Sequence, residues 1–190
     1  MFEADSLRRA LNALGALLAD RGLAFEIVAI GGGGLLLNGV IRRPTKDLDA
    51  LAIVEGGRYQ LARPLPSSLK QAIDDTALAL GLAEDWLNPG PTDQLTHGIP
   101  EGFQDRTTKH VFGGLTVHLA SRFDQVCFKL YAAADQGPTS KHVRDLLDLD
   151  PSDDDLVEAA RWVKQQDINA DFARFVDSVL QHLEATREPR

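Results

Sequence analysis

Residues 29–51, AIGGGGLLLNGVIRRPTKDLDAL, constrain the fold more than any other stretch of this 190-residue chain. The apolar run Phe25–Ile30 stops at Gly31–Gly32–Gly33–Gly34, resumes as Leu35–Leu36–Leu37, and passes through a charged segment to Asp47–Leu48–Asp49. This pattern predicts a core strand, a turn with a short helix over 31–38, and a second strand over 47–54 beside the first, because a short connection joins neighbours. Successive side chains of a strand point to opposite faces, so Asp47 and Asp49 share one face while Leu48 turns to the core. Two carboxylates held so close repel each other unless a proton or a cation lies between them. Hard oxygen ligands of this kind suit Mg²⁺, which brings bound phosphates with it. Glycines add backbone without Cβ atoms, with N–H groups open to an anion at the start of a helix. The residues admit two readings: a phosphate cradle followed by a metal-binding strand, or a plain glycine turn followed by an edge strand with two surface aspartates.

Charge narrows the partners. Twenty basic residues against 28 acidic ones leave a net charge of −8, which argues against binding nucleic acid over the whole surface. Arg42, Arg43, Lys46, Arg58, Arg63 and Lys70 nevertheless gather around the candidate site as a rim able to meet a polyanion. The sequence beyond Asp145 is acidic, densest at Asp153–Asp154–Asp155, and reads equally well as ordinary solvated charge. No apolar run approaches the roughly 20 residues that span a bilayer, and the N-terminus lacks the apolar core of a signal peptide, so a cytoplasmic protein without a membrane partner is expected. The single cysteine, Cys127, excludes a disulfide framework and a cysteine zinc site, and reads as a small buried hydrophobe.

Leu7, Leu11, Leu14, Leu17 and Leu18 recur at helical spacing and predict an amphipathic helix over 5–21, capped by Asp5 or Ser6. Gly56–Gly57 ends the second strand, and Ser67 or Ser68 caps a helix running to about Leu80. Residues 81–104 turn to Pro, Gly, Asn, Asp and Thr, with Trp86 as the large anchor, and read as a long functional or mobile loop. Gly113–Gly114 joins a β-hairpin over 107–112 and 115–120. Ser121 caps a helix ended by Gly137–Pro138, Thr139 or Ser140 starts another that Pro151 stops, and two more follow over about 152–165 and 169–185. The order predicts an α+β fold: a small mixed β-sheet core over 1–120 flanked by helices, and a helical C-terminal part over 121–190 packed on it. His97, His110, His142 and His182 lack metal-ligand spacing, and Trp86 and Trp162 read as packing residues.

The succession Gly31–Gly32, short helix, Gly39, Arg43, Thr45, Asp47, Asp49 resembles the signature of the polymerase-β-like nucleotidyltransferase superfamily, and most closely its AbiEii-type toxins. A second resemblance lies in Phe128–Lys129–Leu130–Tyr131–Ala132–Ala133 and Arg144–Asp145–Leu146–Leu147–Asp148–Leu149, although the arginine expected after the first of these is replaced by Asp135–Gln136. The resemblance implies transfer of a nucleoside monophosphate from an NTP to an acceptor hydroxyl, the 3′ end of a tRNA in the toxin branch, with a cognate antitoxin as partner. It implies Mg²⁺ on Asp47 and Asp49, nucleotide contacts from Gly31, Gly32, Arg43, Thr45 and Lys129, and catalytic roles for Asp47, Asp49, Lys129 and Asp145. Arg42 and Lys46 would then face the acceptor's phosphates.

Lys129 stands among Val126, Cys127, Phe128, Leu130 and Tyr131, so it is expected to reach a carboxylate or a phosphate, with Asp145 the natural partner. Read as a phosphate ligand, it predicts that Lys129→Met folds at least as well as the parent yet binds NTP poorly; a lysine snorkelling to the surface is the alternative. One departure stands out: the strand Leu115–Leu119 offers His118 where many superfamily members carry a third carboxylate. Either Asp145 completes the metal site or the chain is a degenerate, non-catalytic nucleotide-binding member. A protein hydroxyl or a small aminoglycoside-like molecule is the alternative acceptor.

Overall fold

The leucine stripe forms α1 (Ala4–Asp20), which buries Leu7, Leu11, Leu14 and Leu18. Its N-cap is Glu3 rather than Asp5 or Ser6; Ser6 acts from the third helical position, its hydroxyl accepting the Glu3 N–H at 2.9 Å. The computed structural model describes residues 1–167 and 169–187, which divide into two compact units meeting at Ala120 and Ser121.

In the first unit, β1 (Phe25–Ile30), α2 (Gly31–Leu37) and β2 (Leu48–Glu55) follow the expected succession. Gly56 and Gly57, both at positive φ, do more than end β2: they turn the chain into β3 (Arg58–Leu61), a largely exposed edge strand of four residues. After α3 (Ser67–Leu80) comes the stretch expected to be a loop. It is instead built from β4 (Leu87–Asn88), a 3₁₀ turn (Gly90–Asp93), α4 (Gln94–His97) and α5 (Phe103–Arg106). Three buried anchors hold it. The Trp86 indole N–H donates to the Ile73 carbonyl at 3.3 Å, the Thr92 hydroxyl accepts the Ala62 N–H at 2.7 Å, and the Phe103 ring meets Tyr59 edge-on at 5.9 Å.

With β5 (Thr108–Phe112) and β6 (Leu115–Leu119) the strands form one mixed sheet in the order β3-β2-β1-β6-β5. The central β1 runs antiparallel to β2 and parallel to β6, and β4 pairs in parallel with the start of β2, on the edge that β3 occupies further along. Helix α1 meets the β5–β6 turn at Gly15, whose carbonyl accepts the Gly114 N–H at 2.8 Å. A Cβ at Gly15 would lie 1.4 Å from the Phe112 carbonyl oxygen, as close as two bonded atoms. Gly15→Ala must therefore push the helix off the hairpin, and is expected to cost about 3 kcal/mol, the upper end for overpacking. Urea unfolding measures it, and a loss within about 0.5 kcal/mol of zero, as for ordinary surface changes, would refute the close approach.

The second unit is helical: α6 (Arg122–Gln136), α7 (Lys141–Leu149), α8 (Asp153–Gln166) and α9 (Ala170–Thr186), with α6 packed against the other three. The cap at Ser121 follows the sequence, its hydroxyl accepting the Asp124 N–H at 3.2 Å, and the Ser152 hydroxyl likewise caps α8 by accepting the Asp155 N–H at 3.1 Å. Trp162 is a packing residue, its ring edge-on to Phe128 at 5.7 Å, and Cys127 is buried. The protein is thus α+β with a helical C-terminal half. Among the described residues no helix is long and apolar enough to cross a membrane.

Candidate functional site

Asp49, the second residue of β2, lies between two neighbours in register: Ile30 at the end of β1 and Asn88 of β4. Just beyond it the pairing passes from Ala29–Ala50 to Val28–Ala52, which leaves Leu51 without a partner. Bulges of this kind bend a strand and re-aim its side chains. Leu48 is fully buried while Asp49 and Asp47, which lies one residue ahead of β2 rather than within it, are partly exposed.

The glycines have a reason the sequence did not reveal. At Gly31, where φ is +74°, a Cβ would come within 2.5 Å of Asp49 Oδ2; at Gly32 it would meet Thr45 Oγ1 at 2.9 Å, and at Gly33 the Asp47 carbonyl at 2.7 Å. Residues 31–33 therefore lie directly on 45–49, and only glycine permits that approach. A seven-residue helix holding four glycines is weak by propensity, so α2 rests on its buried leucines and on two side chains. Arg8 Nη2 donates to the Leu37 carbonyl at 2.9 Å, and Asn38 Nδ2 to that of Ala120 at 3.3 Å.

Thr45 is buried, its backbone paired with Phe2, and its hydroxyl donates to the Asp47 carbonyl at 3.3 Å, so it braces the acidic segment. Arg42 is exposed and Arg43 half-buried. Much of the basic rim is matched by acids: Lys46 meets Asp85 at 2.8 Å, Arg63 meets Asp93 at 3.2 Å, and Lys70 pairs with Asp74. The hydrogen bond to Asp85, then its charge, raises the Lys46 ammonium above its ordinary value and lowers the Asp85 carboxyl below its own.

In the second unit, Lys129 Nζ lies 2.7 Å from Asp145 Oδ2, with the lysine side chain 8% exposed and the aspartate wholly buried. Lys129 does not snorkel, and it is not an isolated charge. The expectation that Lys129→Met folds at least as well is therefore reversed, since removing the lysine strands a buried carboxylate. Asp145 is engaged with Lys129. At the position noted for lacking an acid, His118 Nε2 lies 2.6 Å from Glu26 Oε2, with Lys109 Nζ at 3.8 Å from the same oxygen. A carboxylate thus stands beside His118, contributed by β1, where no motif announced it.

Sequence reading also missed Asn88. Its only signal, the turn composition of 81–104, gave no hint of pairing with β2. Among the described residues no three His, Cys, Asp or Glu side chains gather as a metal cluster. Asp47 and Asp49 still fit Mg²⁺, which takes one or two carboxylates from protein and completes its shell with phosphates and water. The backbone at Gly31 lies directly against the Asp49 carboxylate, closer than any side chain at position 31 would allow.

The family model of a nucleotidyltransferase of unknown function (DUF6036) matches residues 6–150, which take in the whole sheet together with Lys129 and Asp145. No curated protein and no solved structure matches the chain. With a match over three quarters of its length, the chain belongs to the nucleotidyltransferase family of unknown function DUF6036.

Proposed function

We propose that this protein is a Mg²⁺-dependent nucleotidyltransferase that moves a nucleoside monophosphate from an NTP to the 3′ end of a tRNA, acting as the toxin of an AbiEii-like toxin–antitoxin pair. The observation that carries the reading is the close packing of Gly31 on the Asp49 carboxylate, beside Asp47, in a chain of nucleotidyltransferase family. In the reaction, the acceptor hydroxyl oxygen bonds to the α-phosphorus as the bond to pyrophosphate breaks, and the hydroxyl proton leaves to solvent. Asp47 and Asp49 would hold Mg²⁺, which when bound neutralises charge on the phosphates. Thr45 keeps Asp47 in place, the Gly31–Gly32 backbone faces the phosphates, and Lys129, oriented by Asp145, supplies positive charge to them. Arg43 contacts the nucleotide, and Arg42 with Lys46 receives the acceptor.

A second reading keeps the chemistry and changes the acceptor to a protein or small-molecule hydroxyl. The neutralisation of Lys46, Arg63 and Lys70 by acidic partners favours it, as does the net charge of −8. Incubating the purified protein with each labelled NTP, Mg²⁺, and either total tRNA or an aminoglycoside separates the two. Label in tRNA supports the first reading, label in protein or drug the second, and label in none would leave a nucleotide-binding member without transfer.

Salt dependence gives a further test of the acceptor. If Arg42 and Arg43 touch tRNA phosphates, the slope of log K against log salt falls by roughly one unit for each arginine replaced by Ala. NTP affinity should respond to Arg43→Ala and barely to Arg42→Ala. A double variant with the parental slope would move the preference to the second reading.

A further inference from the structure

Arg42, Arg43, Thr45, Lys46 and Asp47 all stand on the irregular connection over 38–47, which runs between α2 and β2 and forms one isolated bridge, at Thr45. That bridge is double. The Phe2 N–H donates to the Thr45 carbonyl at 2.6 Å, and the Thr45 N–H donates back to the Phe2 carbonyl at 2.9 Å. Three residues on, the Leu48 N–H donates to the Trp86 carbonyl at 2.7 Å, just ahead of the residues of β4 that pair with β2. The two fastenings share one support, because the Phe2 and Trp86 rings meet at 6.0 Å, tilted by 53°, and both side chains are buried. Trp86 is itself tied to α3 through the Ile73 carbonyl. Asp47 therefore lies between two backbone anchors, and its own carbonyl accepts the Thr45 hydroxyl at 3.3 Å.

We infer that Phe2 is a positioning residue for Thr45 and Asp47: with Trp86 behind it, it holds 45–48 in one shape before metal or nucleotide arrives. The inference rests on the reading of Asp47 as a metal ligand. An irregular connection ordered only by its ligand would lose backbone freedom on binding, and that loss subtracts from affinity; a connection already held does not incur it. Residues that hold a metal ligand from behind typically control affinity by about 10–100-fold. Covering Trp86 would need the Phe2 ring alone, whereas both Phe2 backbone groups are engaged with Thr45.

The test is Mn²⁺ binding followed by electron paramagnetic resonance, with Mn²⁺ as the visible stand-in for Mg²⁺, on the full chain and on its Asp47→Asn, Phe2→Ala, Phe2→Leu and Leu18→Ala variants. Thermal unfolding is recorded alongside, and binding is measured well below each midpoint. Leu18 is the packing control: it is fully buried on α1 beside Gly114, roughly 20 Å along the helix from the Phe2 end. Phe2→Ala and Leu18→Ala are both expected to lower the unfolding midpoint, as truncations of buried side chains do. Phe2→Ala should in addition weaken Mn²⁺ binding about tenfold. Phe2→Leu, which keeps most of the buried area, should restore it, and Leu18→Ala should bind as the parent does. Parental affinity in Phe2→Ala, or an equal loss in Leu18→Ala, with Asp47→Asn still abolishing binding, would overturn the inference and leave the metal site standing. Should Phe2→Ala fail to fold, Phe2→Val takes its place under the same outcomes. Mn²⁺ binding that is absent in the parent, or indifferent to Asp47→Asn, would overturn the metal reading and this inference together.

Discussion

Asp49→Asn is expected to lower nucleotidyl transfer on the order of 10³-fold, the scale of losing one preorganised charge at a reacting centre, while the fold keeps its stability or gains some. The two halves of this expectation have separate causes. Transfer falls because an amide cannot neutralise a cation as a carboxylate does, and Asp47 alone then faces the triphosphate. Stability holds because Asp49 is partly exposed and Asn keeps its size, so the change opens no cavity. Asn keeps the shape that Gly31 packs against, which makes it a cleaner test than Ala. Asp47→Asn should behave alike. Rates with labelled NTP and thermal unfolding on the same samples decide the matter: near-parental transfer in either variant would withdraw the metal assignment, and a large fall in unfolding temperature would make the loss a matter of folding.

How much of this was legible beforehand depended on whether the information was local. The stripe of α1, the run Phe25–Ile30, the Gly113–Gly114 hairpin and the serine cap at Ser121 are statements about neighbouring residues, and they appear where the sequence puts them. β3 escaped notice because four residues, Arg58–Leu61, give too short a run for alternation to stand out. β4 escaped because two residues carry no pattern, and its pairing with β2 joins positions 39 apart. The same non-locality hid Asn88, and it hid Glu26, whose partner His118 is 92 residues away. The basic rim was overread for a related reason: charge clustering along the chain is visible in sequence, whereas the matching acids Asp85 and Asp93 come from elsewhere. Asp47 and Asp49 were legible as a local motif, although the strand expected from residue 47 begins at Leu48 and leaves Asp47 just ahead of it.

The second large effect is on stability, at Lys129 and Asp145. With the carboxylate wholly buried and 2.7 Å from the ammonium, either single replacement, Lys129→Met or Asp145→Leu, leaves an uncompensated charge in the interior and is expected to cost about 3–5 kcal/mol. Replacing both together removes the two desolvation penalties along with the attraction, so the Lys129→Met/Asp145→Leu variant should lie close to the parent or above it. Denaturant unfolding of the four proteins forms a double-mutant cycle, and additive losses would show that the pair is not coupled. The same cycle isolates function from folding. The single Lys129→Met variant cannot do so, because weak NTP binding by a destabilised protein has two explanations. The double variant, folded and free of both charges, has one: if Lys129 holds phosphates, its NTP affinity falls although its stability does not. Parental affinity in the double variant would leave Lys129 and Asp145 a purely structural ion pair, and the phosphate contacts would then have to come from Arg43 and the Gly31–Gly32 backbone.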